Sequence, residues 1–420
     1  MPWKAISVME EKLRFILEYE SDEHSMSELC QRYNISRETG YVTLRRYRAT
    51  GLAGLLPHSH AAHRHHNQML EEIEQKVLEL RQAHMRWGPR KLKRILERDE
   101  PGRIWPAAST IGALLKREGL VVARKKRLHT APYTEPLAHA QECNRVWCAD
   151  FKGWFRTTDG ERIDPLTISD AYSRYLLRCQ AVEKTNTERV QAIFEAAFRE
   201  YGLPEAIRTD NGPPFASHAV AGLSRLAVWW IKLGIVPERI AAGHPEQNGR
   251  HERMHRTLKQ EAAQPPAADR RKQQQAQEHF RREYNEVRPH EALGMQTPAA
   301  VYRPSARNYP SRVPEPEYPA TMLVRSVRGQ GIFRWKKHDV FLTEVLWGEN
   351  VGLCPEDDRW FTIYFAQYPL ARFDSQKLCV TPLPKTQPSQ RRYRRRGLAP
   401  FPGSSSTPRE DSNVSAIHPV

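Results

Sequence analysis

The sequence predicts a multidomain chain with all-α helix-turn-helix modules at the N-terminal end, a central α/β core and a small all-β barrel near the C-terminal end. Three observations predict it. Arginine-rich helical segments broken by short turns fill roughly the first 130 residues. Strand and helix patterns alternate from about 140 to 300, and short β-rich runs crowd 320–380. A length of 420 residues also exceeds the usual single domain.

The charge balance narrows the partner. Lys and Arg total 65 against 49 Asp and Glu, a net charge of +16, which calls for a polyanion. A mean hydropathy of -0.70 and 31 prolines imply long polar connectors. No stretch approaches the roughly 20 apolar residues of a membrane span. Glu10 and Glu11 stand where a secretory signal would be apolar. The expectation is a cytoplasmic nucleic-acid protein with no membrane partner. The six cysteines include no C-x-x-C pair and read as reduced thiols.

Residues 1–55 form the first predicted helix-turn-helix domain. An amphipathic helix leads, and a second opens with Ser25 and Glu28 at capping-box spacing. A third begins near Ser36 and carries Arg37, Thr39, Tyr41, Arg45 and Arg46, the candidate major-groove contacts. Gly40 inside this helix costs about 1 kcal/mol against alanine and weakens the prediction. Residues 56–68 read as a His-rich linker. His58, His60, His63, His65 and His66 lack partner ligands at zinc-finger spacing and favour a solvated connector over a metal site.

Residues 69–130 form a second helix-turn-helix-like domain, with Pro89 at a plausible first-turn position and a closing basic run, Arg124 to Arg127. Residues 138–303 carry the α/β alternation, 320–382 the small barrel, and 383–420 a basic tail of disordered composition.

Three acids stand out in the α/β region. Asp150 lies in the apolar run Val-Trp-Cys-Ala-Asp-Phe, where an ionised carboxylate is costly unless paired or bound to metal. Asp210 ends the strand-like Ala-Ile-Arg-Thr, at a carboxyl edge where α/β sheets gather their sites. Before Asn-Gly it also suits an Asx turn, so both roles stay open. Glu252 falls in the first turns of a helix. Two strand-borne aspartates and a helix-borne glutamate can converge on paired Mg²⁺ ions.

Together these motifs resemble the DDE transposases of bacterial insertion sequences, which have a retroviral-integrase-like catalytic core. The likeness rests on Asp150 in its strand, on Thr209-Asp210-Asn211-Gly212, and on Pro245-Glu246-Gln247-Asn248-Gly249-Arg250-His251-Glu252-Arg253 running on to Thr257-Leu258-Lys259. Tyr284-Asn285, Arg288-Pro289-His290, Ala292-Leu293-Gly294 and Thr297-Pro298 match a further family signature. The resemblance implies an RNase H-like core in which Asp150, Asp210 and Glu252 are catalytic and bind two Mg²⁺ ions, with Mn²⁺ able to substitute. It implies Arg256 and Lys259 as DNA contacts, Asp170 as a structural or auxiliary acid, and a homo-oligomer pairing the ends in a synaptic complex. The implied reaction nicks insertion-sequence ends to 3′-hydroxyls and joins them to target double-stranded DNA in a bacterial, nucleoid-associated setting. The alternative is a catalytically silent DNA-binding regulator descended from such an enzyme. A further rival is a structure-selective nuclease of the same fold without strand transfer.

One feature departs from the family. Residues 211–251 separate Asp210 from Glu252, a longer interval than usual, whereas Glu246 falls at the usual separation. The P-x-x-x-G-x-x-E frame selects Glu252, and Glu246 remains its rival.

Overall fold

The computed structural model describes residues 7–57, 69–121, 137, 139–217, 219–240 and 249–383. The His-rich linker, the basic run at 124–127, the Pro245–Asn248 segment with Glu246, and the tail from 384 lie outside them. The chain divides into two compact units, 1–74 and 75–420.

In the first unit, α1 (Val8–Glu20), α2 (Met26–Arg32) and α3 (Arg37–Thr50) follow in close succession. Ser7 with Glu10 and Ser25 with Glu28 form full capping boxes, and the Ser36 side chain caps α3. The helices bury Phe15, Ile16, Leu29, Leu44 and Leu55 together. Gly40 does not break α3, because it sits at a close approach. A Cβ there would meet Cys30 Sγ at 2.6 Å and Met26 Sδ at 2.9 Å. Arg37, Thr39, Tyr41, Arg45 and Arg46 are all exposed on α3.

In the second unit, α4 (Glu71–Ala83), α5 (Pro89–Asp99) and α6 (Ala108–Arg117) form a helical trio, with Pro89 opening α5. It rests on the central core. His84 stacks on Trp87 at 3.8 Å and its Nδ1 lies 2.9 Å from Glu283 Oε1.

The central core follows in chain order as β1 (Val146–Phe151), β2 (Phe155–Arg156), β3 (Arg162–Asp170), β4 (Leu176–Val182), α7 (Thr187–Tyr201), β5 (Ala206–Thr209), α8 (Arg225–Lys232), β6 (Val236–Arg239), α9 (Gly249–Ala262), α10 (Arg270–Arg282) and α11 (Pro298–Val301). The sheet order is β4-β3-β1-β5-β6, with β2 paired to the start of β3. Strands β1, β5 and β6 are parallel, while β3 is antiparallel to both its long neighbours. Alternation along β1 sends Trp147 and Ala149 into the layer formed with α7 and α8. It sends Val146 and Cys148 to the opposite face, the one Asp150 shares by the same period.

Side-chain amides close the outer edge of β4. Gln274 of α10 accepts from Ala181 N at 2.7 Å and donates to Cys179 O at 3.1 Å. Asn285 performs the same double contact at Leu176. An edge strand is thereby paired without another strand.

Strands β7 (Leu323–Arg328), β8 (Ile332–Trp335), β9 (His338–Phe341), β10 (Asn350–Pro355), β11 (Trp360–Phe365), β12 (Tyr368–Asp374) and β13 (Cys379–Pro382) form one antiparallel sheet. Its order is β13-β12-β11-β10-β7-β8-β9, and the end strands β9 and β13 approach each other, so the sheet is nearly closed. Its core includes Leu223, Ala227, Val228 and Ile231 from α8 and the residues before it. The other flank of α8, Leu226 and Trp230, belongs to the central core. A helix buried on both flanks must be apolar all round, as Arg-Leu-Ala-Val-Trp-Trp-Ile-Lys nearly is.

Candidate active site

Two of the three predicted acids lie at the ends of adjacent strands. The parallel register pairs Val146 with Ala206 and Cys148 with Arg208. Carried two residues further, it sets Asp150 beside Asp210, about 5 Å apart along the backbone. The strand under Asp210 is pinned by buried charge. Arg208 donates to Glu238 Oε2 of β6 through Nε at 3.0 Å and Nη2 at 2.8 Å, and His139 Nε2 lies 2.9 Å from the other oxygen.

The Asp-Asn-Gly turn then shapes the carboxylate's surroundings. Asn211 Nδ2 donates to Ile240 O at 2.8 Å. Gly212 leaves room for the aspartate, since a Cβ there would lie 3.1 Å from Asp210 Oδ2. Asp210 Oδ1 is buried and has no hydrogen-bond partner among the described residues. A carboxylate oxygen in that state is costly unless a cation reaches it.

Helix α9 lies over the same sheet face. Met254, Leu258 and Ala262 pack with Leu176, Cys179, Phe280 and Tyr284. One turn nearer its start, His251 and His255 are buried beside Asp150. Both imidazole Nε2 atoms lie 2.7 Å from Thr167 Oγ1, and Thr167 is the β3 partner of Asp150. Ligand atoms of Asp150, His251 and His255 all lie within 4.8 Å of one another, a group the sequence reading did not contain. The i, i+4 spacing of two histidines after a glycine was the available signal. Burial, followed by the neighbouring His255, holds the His251 imidazole well below its usual range. Burial and then the Lys152 ammonium push His255 down to about 3.

Glu252 stands apart from that trio. It is exposed in the first turn of α9, on the flank adjoining the histidines, while the Glu246 position lies outside the described residues. Arg256 and Lys259 are exposed on the same helix. Lys152, two residues past Asp150, was also missed. Burial and then the charge of Lys259 push its ammonium down, so the two lysines sit close enough to repel. Asp170 is buried and structural. Its Oδ1 accepts from Ser173 N and Oγ, and its Oδ2 from Asn144 N at 2.7 Å.

The downstream signature proves to be packing. Tyr284 and Asn285 are buried, and Arg288 Nη1 holds Glu261 of α9 at 2.8 and 2.9 Å. These contacts brace α9 against α10.

Residues 140–245 and 233–298 match integrase core domain families, 39–115 a homeodomain-like domain, and 11–63 a helix-turn-helix domain. The chain is 29% identical over 289 residues to the uncharacterized 31.7 kDa protein of insertion element IS407 from Burkholderia multivorans, covering 67% of this chain and 96% of that protein. The uncharacterized 39.2 kDa protein of insertion element IS476 from Xanthomonas euvesicatoria is 28% identical, covering 66% and 79%. Transposase InsD for insertion element IS2 of Escherichia coli is 28% identical, covering 53% and 75%. Among solved structures, the HTLV-2 integrase catalytic core domain in complex with magnesium aligns at 16% identity and a TM-score of 0.31, covering 39% of this chain and 98% of that one.

Helix-turn-helix domains ahead of an integrase core define a DNA-binding enzyme of the polynucleotidyl transferase kind. Within that class the matched domains and insertion-element relatives support an integrase-core transposase of a bacterial insertion sequence.

Proposed function

We propose that this transposase nicks the ends of its insertion sequence and joins the resulting 3′-hydroxyls to target DNA, with Asp150, Asp210 and Glu252 as its metal-binding acids. The observation that carries the reading is the Oδ1 of Asp210, buried and without a hydrogen-bond partner among the described residues, at the end of the strand neighbouring that of Asp150. That oxygen, on the strand neighbouring the one that carries Asp150, fits a hard divalent cation such as Mg²⁺. Two such ions, Mg²⁺ with Mn²⁺ as a substitute, would stabilise the entering and leaving oxygens of an in-line phosphoryl displacement.

The chain's own residues do the rest. Asp150 and Asp210 offer oxygens from rigid strand ends, and Glu252 offers a third from the exposed flank of α9. Exposed Arg256 and Lys259 hold DNA phosphates near the acids. Arg37, Thr39, Tyr41, Arg45 and Arg46 line the solvent side of α3 and read the end sequence in the major groove. The sheet order β4-β3-β1-β5-β6, in which β3 alone runs against the other long strands, supports the RNase H-like reading of the core. The modules act from a homo-oligomer that pairs two ends.

Incubation with labelled insertion-sequence ends, target plasmid and Mg²⁺ tests the proposal. Joined product that disappears with Asp150→Asn supports it. Cleavage without joining assigns a nuclease, and a gel shift with neither assigns a DNA-binding regulator.

A further inference from the structure

The hydroxyl of Thr167 lies at the meeting point of three polar atoms. It is 3.1 Å from the carbonyl oxygen of Asp150 and 2.7 Å from each of His251 Nε2 and His255 Nε2. A hydroxyl has one proton and two lone pairs, and a carbonyl can only accept. The proton therefore goes to Asp150 O, and both imidazoles donate Nε2–H to Thr167. That fixes one tautomer for each ring and leaves each Nδ1 as a lone pair.

The two lone pairs meet different neighbours. Ser169 Oγ lies 3.3 Å from His251 Nδ1 and can donate to it. His255 Nδ1 faces Asp150 Oδ2 at 4.0 Å. That gap is too long for a hydrogen bond. It sets a lone pair against a carboxylate oxygen, an arrangement that a cation between them would turn from repulsive to favourable. Metal–nitrogen and metal–oxygen bonds of about 2.1 Å each span such a gap with a small shift of the carboxylate.

We infer that His255 Nδ1 is a nitrogen ligand to the cation held by Asp150, making this a mixed nitrogen–oxygen site that prefers Mn²⁺ to Mg²⁺. The inference rests on the reading of Asp150 as a metal ligand. Imidazole nitrogen favours first-row transition ions, whereas Mg²⁺ favours an all-oxygen shell. Thr167 then does for His255 what an outer-shell oxygen does for most ligating histidines, accepting the remaining N–H and fixing the ring. His251 shares the Thr167 contact but turns its Nδ1 to Ser169, so it positions Thr167 and does not ligate.

Mn²⁺ titrated into the full chain and followed by electron spin-echo spectroscopy tests this directly. The expected result is ¹⁴N modulation from one coordinated imidazole in the wild-type protein. It is lost in His255→Ala and retained in His251→Ala. Mn²⁺ affinity should fall about tenfold or more in His255→Ala, while Mg²⁺ affinity changes much less. Bound Mn²⁺ without ¹⁴N modulation in the wild type overturns the inference and leaves the Asp150 reading standing. Equal Mn²⁺ binding by wild type and Asp150→Asn overturns that reading as well. If His255→Ala fails to fold by thermal melting, His255→Gln replaces it, and the wild-type spectrum decides without any variant.

Discussion

Asn285 grips Leu176 by both of its backbone polar groups, accepting from N at 2.8 Å and donating to O at 3.0 Å. Both residues are buried, so the amide substitutes for a missing strand at the edge of β4. Asn285→Ala should therefore cost about 2–4 kcal/mol, because two buried backbone groups lose their partners at once. Chemical denaturation of the full chain measures the loss, and hydrogen exchange should speed first at Leu176.

Asp210 sets stability against activity. Its Oδ1 is a buried acceptor without a donor among the described residues, so Asp210→Asn should leave the metal-free protein unchanged or stabilise it by about 1 kcal/mol. Strand transfer should fall at least about a hundredfold. A melt and a joining assay on the same preparation check both halves, and a large destabilisation would contradict the first.

The two glutamates that compete for the third position separate by substitution. Glu252→Gln should abolish joining, whereas Glu246→Gln should retain most of it. Because Glu252 is exposed, its replacement should leave the unfolding free energy within about half a kcal/mol of wild type. Reversal of the two activities would assign the role to Glu246.

Gly40→Ala improves helix propensity by about 1 kcal/mol, yet it should destabilise the first unit by a net of about 1–3 kcal/mol. The added methyl would come within 2.6 Å of Cys30 Sγ and 2.9 Å of Met26 Sδ, forcing α2 away from α3. Faster hydrogen exchange across α1–α3 in the full chain is the readout.

His290 gives the second unit a pH dependence. Burial, then the charges of Lys91 and Arg288, push its imidazole down to about 3. The unfolded chain takes up this proton first, near pH 6.5. The stabilisation is therefore complete above pH 6.5 and drains away as pH falls toward 3, by up to about 1.4 kcal/mol per unit. Between about pH 6.5 and 5, His290→Gln should show a flatter stability profile than wild type.

Much of this architecture could be read from the residues, and the gaps have physical causes. Helices α1 to α7 announce themselves through caps and apolar periodicity, and β1 and β5 through apolar runs ending at an acid. Helix α10 was missed because its buried face is built from Gln273 and Gln277 together with Phe280, so the apolar stripe is absent. Strand β6 is four half-buried residues with a proline, too short to carry alternation. Strands β12 and β13 follow β11 so closely that their boundaries merge. At the site, the strand acids were visible because charge interrupts apolar sequence. The histidine pair was not, because its meaning depends on Thr167, more than eighty residues away in the chain.

The phase of α9 also restricts which length changes this enzyme can accept. Residues gained between Asp210 and Gly249 can be absorbed in loops and around α8 without turning α9. A single codon gained between Gly249 and His255 would turn the following residues by about 100°. It would carry His255 away from Thr167 while the hydrophobic packing tried to hold the helix where it is. Drift in gene length should thus accumulate before Gly249 and be purged after it.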